Sequence, residues 1–446
     1  MKKIIFIFIV NRLPAIFLVG SLLIVNCSAQ WYKQPIPVNK PITGIKFVDT
    51  SNGWASTGNY SNPTPQDTGF IFHTTNGGTN WFVQFYKKGY EFSTMTMVNN
   101  LIGYAAIDSI AQFTNWPFLL KTTNGGINWF NIPVPYNMSI DQFYFLSSDT
   151  GWEVANAGIG PDVRVTTDGG TNWQVRTNGI TSETSCIFFL NYDTGFCGSS
   201  NMIFKTTNAG LNWFQIGNFS ANNINSIFFY NDKIGWTGMS YDSIAYTSNG
   251  GLNWVYQIKP IHQGPISFYF FDSLKGWGGT GFEQILKTIN GGLNWGYQID
   301  SGWTEHLSFI DSSKGWTGSV LGIYKTTNGG GSISYIGIIN ISNEIPEQYK
   351  LFQNFPNPFN PSTKIRFSLV KASYVQIKIF DVSGRELNPW IFGWYPETLL
   401  QAGTHEFQFD GSEMASGVYF FKLIVTDGAK TSNKLYESII KMLLVK

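Results

Sequence analysis

Short apolar segments recur along the chain, separated by turns rich in Gly, Asn, Thr and Asp. Some segments alternate apolar and polar positions, as residues 45–48 do, and others are continuously apolar, as residues 187–190 are. This pattern indicates short β-strands instead of helices. In the first unit it predicts four strands, near residues 42–49, 54–58, 70–75 and 81–86.

A nine-residue unit, which we call the box, connects the third predicted strand to the fourth. Its first copy runs from His73 through Asn76-Gly77-Gly78 to Trp81. Near-copies end at Trp129, Trp173, Trp213, Trp254 and Trp295, and successive tryptophans lie 40 to 48 residues apart. A seventh copy, residues 325–333, keeps the Thr and Gly positions without the tryptophan. A repeat of this length with four strands predicts a seven-bladed β-propeller.

The box is typical of a tight β-hairpin. Glycine accepts positive φ at little cost, the Asn or Asp side chain bonds nearby backbone amides, and the tryptophan buries a large surface. Residues that recur in every blade are expected to hold the blades together. We therefore assign a structural role to Asn76, Trp81, Asn124, Trp129, Asp168, Trp173, Asn208, Trp213, Asn249, Trp254, Asn290 and Trp295.

A Gly-aromatic pair precedes each box. The pairs are Gly53-Trp54, Gly103-Tyr104, Gly151-Trp152, Gly195-Phe196, Gly235-Trp236, Gly276-Trp277 and Gly315-Trp316. From Trp81 to Tyr104 is 23 residues, and from Trp31 to Trp54 is also 23. Residues 30–34 are therefore predicted to supply the fourth strand missing from the seventh box, which would close the ring and remove two open sheet edges. The competing interpretation gives that role to residues 332–338.

The repeat stops near residue 338, and a different pattern follows. Three prolines between residues 356 and 361 exclude a helix. Strands are then predicted at 364–369, 375–380, 404–409, 418–425 and 439–445, which favours an Ig-like β-sandwich. The chain thus divides into a signal peptide (1–29), a propeller (30–338), a polar linker (339–348) and a C-terminal domain (349–446).

Two resemblances follow from these motifs. The box resembles the Asp-box of sialidase-type propellers and, in its longer form, the repeats of photosystem II assembly factor-like propellers. Residues 357–363, 380–385, 417–420 and 441–446 resemble the type A C-terminal sorting domain of the type IX secretion system. That resemblance implies a sorting signal at Pro358, Asn360, Pro361, Gly417, Tyr419, Lys441 and Lys446. It also implies recognition by the outer-membrane secretion machinery, removal of the domain and attachment to surface glycolipid.

The N-terminus indicates export. Lys2-Lys3, an apolar stretch and the small residues before Gln30 predict a signal peptide cleaved after Ala29. An uncleaved anchor and a lipoprotein linked at Cys27 are the alternatives. No transmembrane segment is predicted in the mature chain, which is expected to be secreted or held at the outer cell surface. Cys186 and Cys197 then remain, and they are either a cross-strand disulfide or two buried thiols.

Charge and side-chain chemistry restrict the function. The net charge is +1 and the chain lacks long basic runs, so a nucleic-acid partner is not expected. Residues 30–340 contain only Arg164 and Arg176, whereas a sialidase needs three arginines around one carboxylate. His73, His262 and His306 lack metal-ligand spacing, and no cofactor is predicted. Carboxylates in predicted loops, including Glu91, Asp108, Asp141, Glu183, Glu283 and Glu305, show no spacing that selects a pair.

Ligand recognition is expected where the blades differ, in the loops opposite the boxes. Aromatic side chains in these loops are good platforms for sugars or partner proteins. The candidates are Tyr60, Tyr90, Phe113, Trp116, Tyr136 and Trp303. The favoured hypothesis is a non-catalytic module that binds a protein or a glycan, and the alternative is a polysaccharide-degrading glycoside hydrolase. An assembly factor fits poorly with a sorting signal addressed outside the cell.

Overall fold

In the computed structural model, the described residues form β-strands, turns and loops. It describes residues 31–58, 67–109, 118–132, 139–156, 160–219, 223–240, 243–257, 265–281, 285–298, 304–331, 337–387, 398–411, 414–428 and 433–446. The predicted signal peptide lies outside these ranges. None of the described segments forms a helix long and apolar enough to span a bilayer.

The residues described before position 330 form twenty-eight strands. In chain order they are β1 (Tyr32–Lys33), β2 (Ile42–Phe47), β3 (Gly53–Thr57), β4 (Thr68–Thr74), β5 (Phe82–Lys88), β6 (Tyr90–Met97), β7 (Gly103–Ser109), β8 (Phe118–Thr122), β9 (Phe130–Ile132), β10 (Ser139–Phe145), β11 (Gly151–Asn156), β12 (Val163–Thr166), β13 (Gln174–Val175), β14 (Thr184–Phe189), β15 (Gly195–Ser199), β16 (Met202–Thr206), β17 (Phe214–Asn218), β18 (Ile224–Phe229), β19 (Gly235–Met239), β20 (Ser243–Thr247), β21 (Val255–Gln257), β22 (Ser267–Phe270), β23 (Gly276–Gly279), β24 (Ile285–Thr288), β25 (Gly296–Gln298), β26 (Thr304–Phe309), β27 (Gly315–Ser319) and β28 (Gly322–Thr326).

These strands form seven four-stranded antiparallel sheets. Six sheets take four consecutive strands each, from β2–β5 to β22–β25, and the seventh has the order β1-β28-β27-β26. The first strand of each sheet contacts the first strand of the next, and β26 contacts β2. The sheets therefore close into a ring, and the predicted seven-bladed propeller is confirmed. We call the end that carries the boxes and the turns between first and second strands the box end, and the opposite end the loop end.

The N-terminal strand completes the last blade. Tyr32 lies opposite Lys325, Lys33 lies opposite Tyr324, and the Gln34 amide donates to the Ile323 carbonyl at 2.8 Å. The Trp31 indole is buried and donates to Gln298 Oε1 in the sixth blade. The prediction that residues 31–34 pair with the seventh box strand is confirmed.

Each box closes on itself as expected. In the first box, the Gly78 amide donates to Thr74 Oγ1 at 2.9 Å and the Asn80 amide donates to Asn76 Oδ1 at 2.9 Å. Gly77 and Gly78 have φ of +67° and +90°, a region that side chains with a Cβ rarely adopt. The same pair of bonds recurs in the five boxes from Asn124 to Asn290.

Aromatic rings stack between neighbouring blades. The ring of a Gly-aromatic pair lies face to face with a phenylalanine on the first strand of the next blade, as Trp316 does with Phe47 at 3.6 Å. Trp81 then meets Phe47 edge-on at 5.7 Å. The phenylalanine also explains the glycine of the pair, because a Cβ on Gly53 would lie 2.4 Å from the Phe47 ring. The second blade has Met97 at this position.

Hydrogen bonds reinforce the same joints. The Trp277 indole donates to the Gly329 carbonyl in the next box at 3.1 Å, and the Trp316 indole donates to Gly77 at 3.0 Å. Three box tryptophans donate backwards to the preceding blade: Trp213 to the Arg176 carbonyl at 2.8 Å, Trp254 to the Ile216 carbonyl at 3.2 Å and Trp295 to Gln257 Oε1 at 2.8 Å. Stacked rings and hydrogen bonds therefore fix the joints between blades, except that the joint between the first and second blades has Met97 in place of the stacked phenylalanine.

A β-sandwich follows the ring. Its strands are β29 (Gly337–Ser342), β30 (Lys350–Leu351), β31 (Ser362–Leu369), β32 (Ser373–Asp381), β33 (Thr398–Leu400), β34 (Gly403–Asp410), β35 (Gly417–Thr426) and β36 (Lys434–Leu444). They form two sheets, β29-β34-β31-β30 and β33-β32-β35-β36, around one apolar core. The β-sandwich predicted for this part of the chain is confirmed.

The boundary of the sandwich differs from the expectation. Residues 339–348 were expected to be a polar linker, but β29 pairs with β34 as an edge strand of the sandwich. The Ile338 side chain of this strand is buried in the sandwich core. The competing fourth strand of the seventh blade is therefore not formed by the described residues 337–342. The Asn294 side chain bonds the Asn340 backbone at 2.5 and 2.6 Å, which connects β29 to the sixth box.

The two cysteines are free and buried. The register places Cys186 opposite Gly198 and Cys197 opposite Ile187, so the side chains point to opposite faces of the same sheet. They belong to different apolar clusters. The disulfide considered for Cys186 and Cys197 is not present, because the pairing is offset by one residue. Burial raises the pKa of Cys186 to about 12, which keeps this thiol protonated.

Candidate functional site

One of the six aromatic candidates lies in the described part of the chain. Tyr90 begins β6 at the loop end, where it faces the first blade. Its ring lies 6.1 Å from that of Phe118, and Lys87 Nζ lies 4.2 Å from the Tyr90 centroid and 4.9 Å from that of Phe118. Tyr60, Phe113, Trp116, Tyr136 and Trp303 lie outside the described residues.

The Tyr90–Phe118–Lys87 cluster is chemically suited to binding. Tyr90 and Phe118 are half-buried, so their rings are held in place while an edge remains accessible. Tyr86, with 67% of its surface exposed, lies on the opposite face of β5, near Phe70 at a centroid distance of 6.4 Å. Rigid aromatic surfaces beside a cation recognise sugars or protein side chains through stacking and polar contacts.

Carboxylates gather next to this cluster, facing the third blade. Glu91 lies directly opposite Asp108 in the pairing of β6 with β7. Asp141 begins β10 at the same end, and its pKa is raised to about 6 by burial and by the charge of Asp108. Asp141 is an exposed residue, so its carboxyl is in contact with solvent. The sequence did not indicate which carboxylates lie together, because the register between β6 and β7 is not visible in it. Glu183 and Glu305 lie elsewhere on the ring, and Glu283 is outside the described residues.

A buried charged cluster lies deeper between the second and third blades. Arg164 is opposite Glu153 in the pairing of β11 with β12, with Nη1 and Oε1 3.8 Å apart. Arg164 Nη2 contacts Asp162 Oδ2 at 2.5 Å. All three side chains are buried. Burial raises the pKa of Glu153 to about 8, the charge of Arg164 opposes this, and Asp162 adds to it.

This cluster makes stability depend on pH. Because the pKa of Glu153 is higher in the folded than in the unfolded chain, the protonated carboxyl favours folding, and this contribution is lost as the pH rises from about 4.5 to about 8. We expect E153Q to gain stability relative to the natural chain across this interval, by about 5 kcal/mol at most. Urea unfolding from pH 5 to pH 9 measures the difference.

The control for this experiment is E183Q, because Glu183 is exposed on the adjacent segment. E183Q is expected to follow the natural chain at every pH. Parallel pH profiles for E153Q and the natural chain would show that Glu153 ionises normally in the folded state.

The arginines do not form a carboxylate clasp. Arg164 is committed to the buried cluster, and Arg176 donates to Gln174 Oε1 at 3.1 Å on the surface of the same blade. Within the described ranges, no three His, Cys, Asp or Glu side chains are placed to hold a metal ion. Burial lowers the pKa of His306 to about 4, so this histidine is neutral at pH 7.

The predicted sorting residues meet at one end of the sandwich. The Phe359 amide donates to the Leu443 carbonyl at 2.9 Å, and the Val445 amide donates back to Phe359 at 3.0 Å. Asn357 Oδ1 accepts from the Leu443 amide at 2.9 Å, and Asn357 Nδ2 donates to the Lys441 carbonyl at 3.2 Å. Pro358, Asn360 and Lys441 belong to these two joined segments. The proline-rich entry and the C-terminal strand thus form a single surface.

The remaining sorting residues lie on or near the same strand pair. Gly417 lies opposite Leu444 in the pairing of β35 with β36. The Tyr419 hydroxyl donates to the Ala415 carbonyl at 2.8 Å, and the Lys446 amide donates to Ser416 Oγ at 3.0 Å. Pro361 accepts from the Gly411 amide at 2.9 Å.

Comparisons with known proteins agree with these two parts. A family described as a secretion system C-terminal sorting domain matches residues 353–438. No curated protein matches the chain. The solved structure of YCF48 bound to D1 peptide is 18% identical, with a TM-score of 0.53, covering 67% of this chain and 97% of that one. YCF48 from Cyanidioschyzon merolae is 16% identical, with a TM-score of 0.52, covering 67% and 99%.

A larger enzyme shares the architecture. The GH74 enzyme of Niastella koreensis is 11% identical, with a TM-score of 0.54, covering 91% of this chain and 67% of that one. At these identities the likeness describes the fold. The sorting domain places the protein outside the cell or on its outer surface and implies contact with the secretion machinery. The chain is a secreted or surface-located β-propeller protein that carries the C-terminal sorting domain of the type IX secretion system.

Proposed function

We propose that the propeller is a non-catalytic binding module for a protein or a glycan outside the cell. The observation that carries this proposal is the Tyr90–Phe118–Lys87 cluster at the loop end, where two half-buried rings lie beside one ammonium group. A propeller of similar fold, YCF48, has been solved with a bound peptide, so this architecture can present a recognition surface.

Binding assays on the mature chain test the proposal. A glycan array and a panel of outer-surface proteins identify the ligand, and Y90A is expected to weaken its binding by about tenfold, the usual effect of losing an aromatic anchor. The matched control is Y230A, because Tyr230 is 42% exposed in a turn at the box end. Equal losses in Y90A and Y230A, or no ligand sensitive to Y90A, would contradict the proposed surface.

The second candidate is a glycoside hydrolase, and a specific observation favours it. Asp141 has a raised pKa of about 6 beside the negatively charged Asp108, a combination that suits a general acid paired with a second carboxylate. Under this alternative, turnover of a polysaccharide disappears in both D141N and D108N. Under the binding proposal, the mature chain releases no sugar, and both variants still bind ligand.

A further inference from the structure

Four blades use a lysine to complete the joint to the next box. The box begins with Lys121, Lys205, Lys287 or Lys325, and each ammonium lies 5.3, 5.4, 5.4 or 5.5 Å from the aromatic ring of its own Gly-aromatic pair. In the sixth blade, Lys287 Nζ donates to the Gly329 carbonyl at 2.8 Å. The Lys287 side chain therefore passes over the Trp277 ring, and its ammonium group contacts the next box.

The Gly329 carbonyl accepts three donors. They are Lys287 Nζ at 2.8 Å, the Trp277 indole at 3.1 Å and Gln298 Nε2 at 3.2 Å. The same glutamine and tryptophan recur in the first blade, where Gln84 Nε2 and the Trp54 indole donate to the Gly125 carbonyl at 2.8 and 3.2 Å. His73 replaces the lysine there, and the described residues supply no third donor to Gly125.

An open cavity stands at the position that the lysine would reach. His73 stacks on Trp54 with ring centroids 4.3 Å apart, which covers the ring but stops short of the next box. The remaining space is a cavity of about 330 Å³ at the box end between the first and second blades. Gln84, Asn100 and Gly125 contribute to its polar wall, and the exposed Phe82 and Ile127 contribute to its apolar wall.

In the two other blades without this lysine, a tyrosine side chain lies at the joint. Tyr246 lies 5.4 Å from Trp236 in the fifth blade. In the third blade, where the residue is Val165, Tyr192 from the next blade lies 6.0 Å from Trp152. The counterpart of Tyr192 in the second blade is Asn100, which is too small to close the gap left by His73.

The electrostatics of the cavity suit a cation. Partial burial raises the pKa of Asp49, but hydrogen bonds from Asn52, Ser51 and Asn100 outweigh this and hold the pKa below its usual range. Asp49 is therefore negatively charged directly behind two amides of the cavity wall. Burial lowers the pKa of His73 to about 4, so His73 carries no competing positive charge at pH 7.

We propose that this cavity, bounded by His73, Phe82, Asn100, Gly125 and Ile127, binds a lysine side chain presented by a partner polypeptide. The incoming ammonium donates to the Gly125 carbonyl, as Lys287 does to Gly329, and the butyl chain packs between Phe82 and Ile127. Lysine is favoured over other cations because the chain itself places lysine at this position in four blades. The site lies at the opposite end of the ring from Tyr90 and is independent of the function proposed above.

The test uses two substitutions that copy other blades of this protein. H73K supplies the internal lysine and N100Y supplies the ring that closes the third joint, so both are expected to fill the cavity within a folded propeller. The probe is the tripeptide acetyl-Gly-Lys-Gly-amide, titrated into the mature chain labelled with ¹⁵N-tryptophan. The Trp54 indole signal, assigned with W54F, is expected to shift saturably in the natural chain.

Both variants are expected to weaken binding at least tenfold, and the peptide acetylated at Nε is expected to bind at least tenfold more weakly to the natural chain. Undiminished binding to H73K or N100Y, or equal binding of the acetylated peptide, would overturn the proposal. Tighter binding of glucosamine than of the peptide would overturn the assignment to lysine. Y90A is expected to leave peptide binding unchanged, which separates this site from the loop end.

Discussion

Replacement of Trp31 by alanine is expected to destabilise the propeller by about 3–5 kcal/mol, the usual cost of removing a buried tryptophan. The Trp31 side chain is 6% exposed and meets Phe309 edge-on at 5.9 Å. Its indole donates to Gln298 Oε1 at 3.3 Å. Since β1 is only Tyr32–Lys33, this indole is the main anchor of the strand that closes the ring.

Two measurements check this result. Urea unfolding of the mature chain gives the loss of stability, and hydrogen exchange at Tyr324 and Lys325 reports whether β28 has lost its partner strand. The control is Y32A in the same strand, where the side chain is 41% exposed and its removal is expected to change stability by about 0.5 kcal/mol or less. Equal destabilisation by W31A and Y32A would show that Trp31 does not anchor the closure.

Deletion of residues 337–446 is expected to abolish export across the outer membrane and leave the propeller in the periplasm. The sorting motifs are joined in one surface by the contacts of Asn357 and Phe359 with β36. The deletion begins at 337 because β29 would otherwise lose β34, its partner, and present an unpaired edge. Cell fractionation and protease accessibility of intact cells measure the location.

A point variant separates loss of the signal from loss of the domain. N357A removes the side chain that bonds Leu443 and Lys441 and is expected to reduce the surface fraction severalfold. N433A is the control, because Asn433 is exposed and its side-chain amide donates to Asp427 Oδ2 at a long distance of 3.4 Å. Unchanged surface display of the 337–446 deletion would contradict the assignment of the signal to the sandwich.

The fold could be predicted from the sequence because each blade repeats the same local requirements. The box has two residues at positive φ, which are glycines except for Ala209 in the fourth box, and the Gly-aromatic pair needs a residue without Cβ beneath the phenylalanine of the first strand. Both requirements are visible in the sequence. The constant spacing from the box tryptophan to the next Gly-aromatic pair also predicted the closing strand near Trp31. The polar residues after position 338 led to the prediction of a linker that begins at residue 339, but Asn340 and Ser342 belong to the edge strand β29.

The contacts between blades were less predictable. The offset of Cys186 from Cys197, and the pairings of Glu91 with Asp108 and Glu153 with Arg164, depend on strand register. A shift of one residue moves a side chain to the other face, and composition does not reveal such a shift. The lysine that opens the boxes was visible in sequence, but its reach into the next blade requires the ring geometry. The sequence therefore did not indicate that His73, which replaces this lysine in the first blade, would leave a cavity.

Ring closure by the N-terminal strand has a consequence for folding. Trp31 and Gln298 are 267 residues apart, so the contact of the closing strand with the sixth blade cannot form until almost the whole ring has been translocated. Such distant pairing requires a large loss of chain entropy and slows folding. During that interval β28 offers an unsatisfied edge to other chains. The newly exported protein is therefore expected to pass through an intermediate in which the ring is not yet closed. The longer this intermediate persists, the more the protein is expected to depend on periplasmic chaperones.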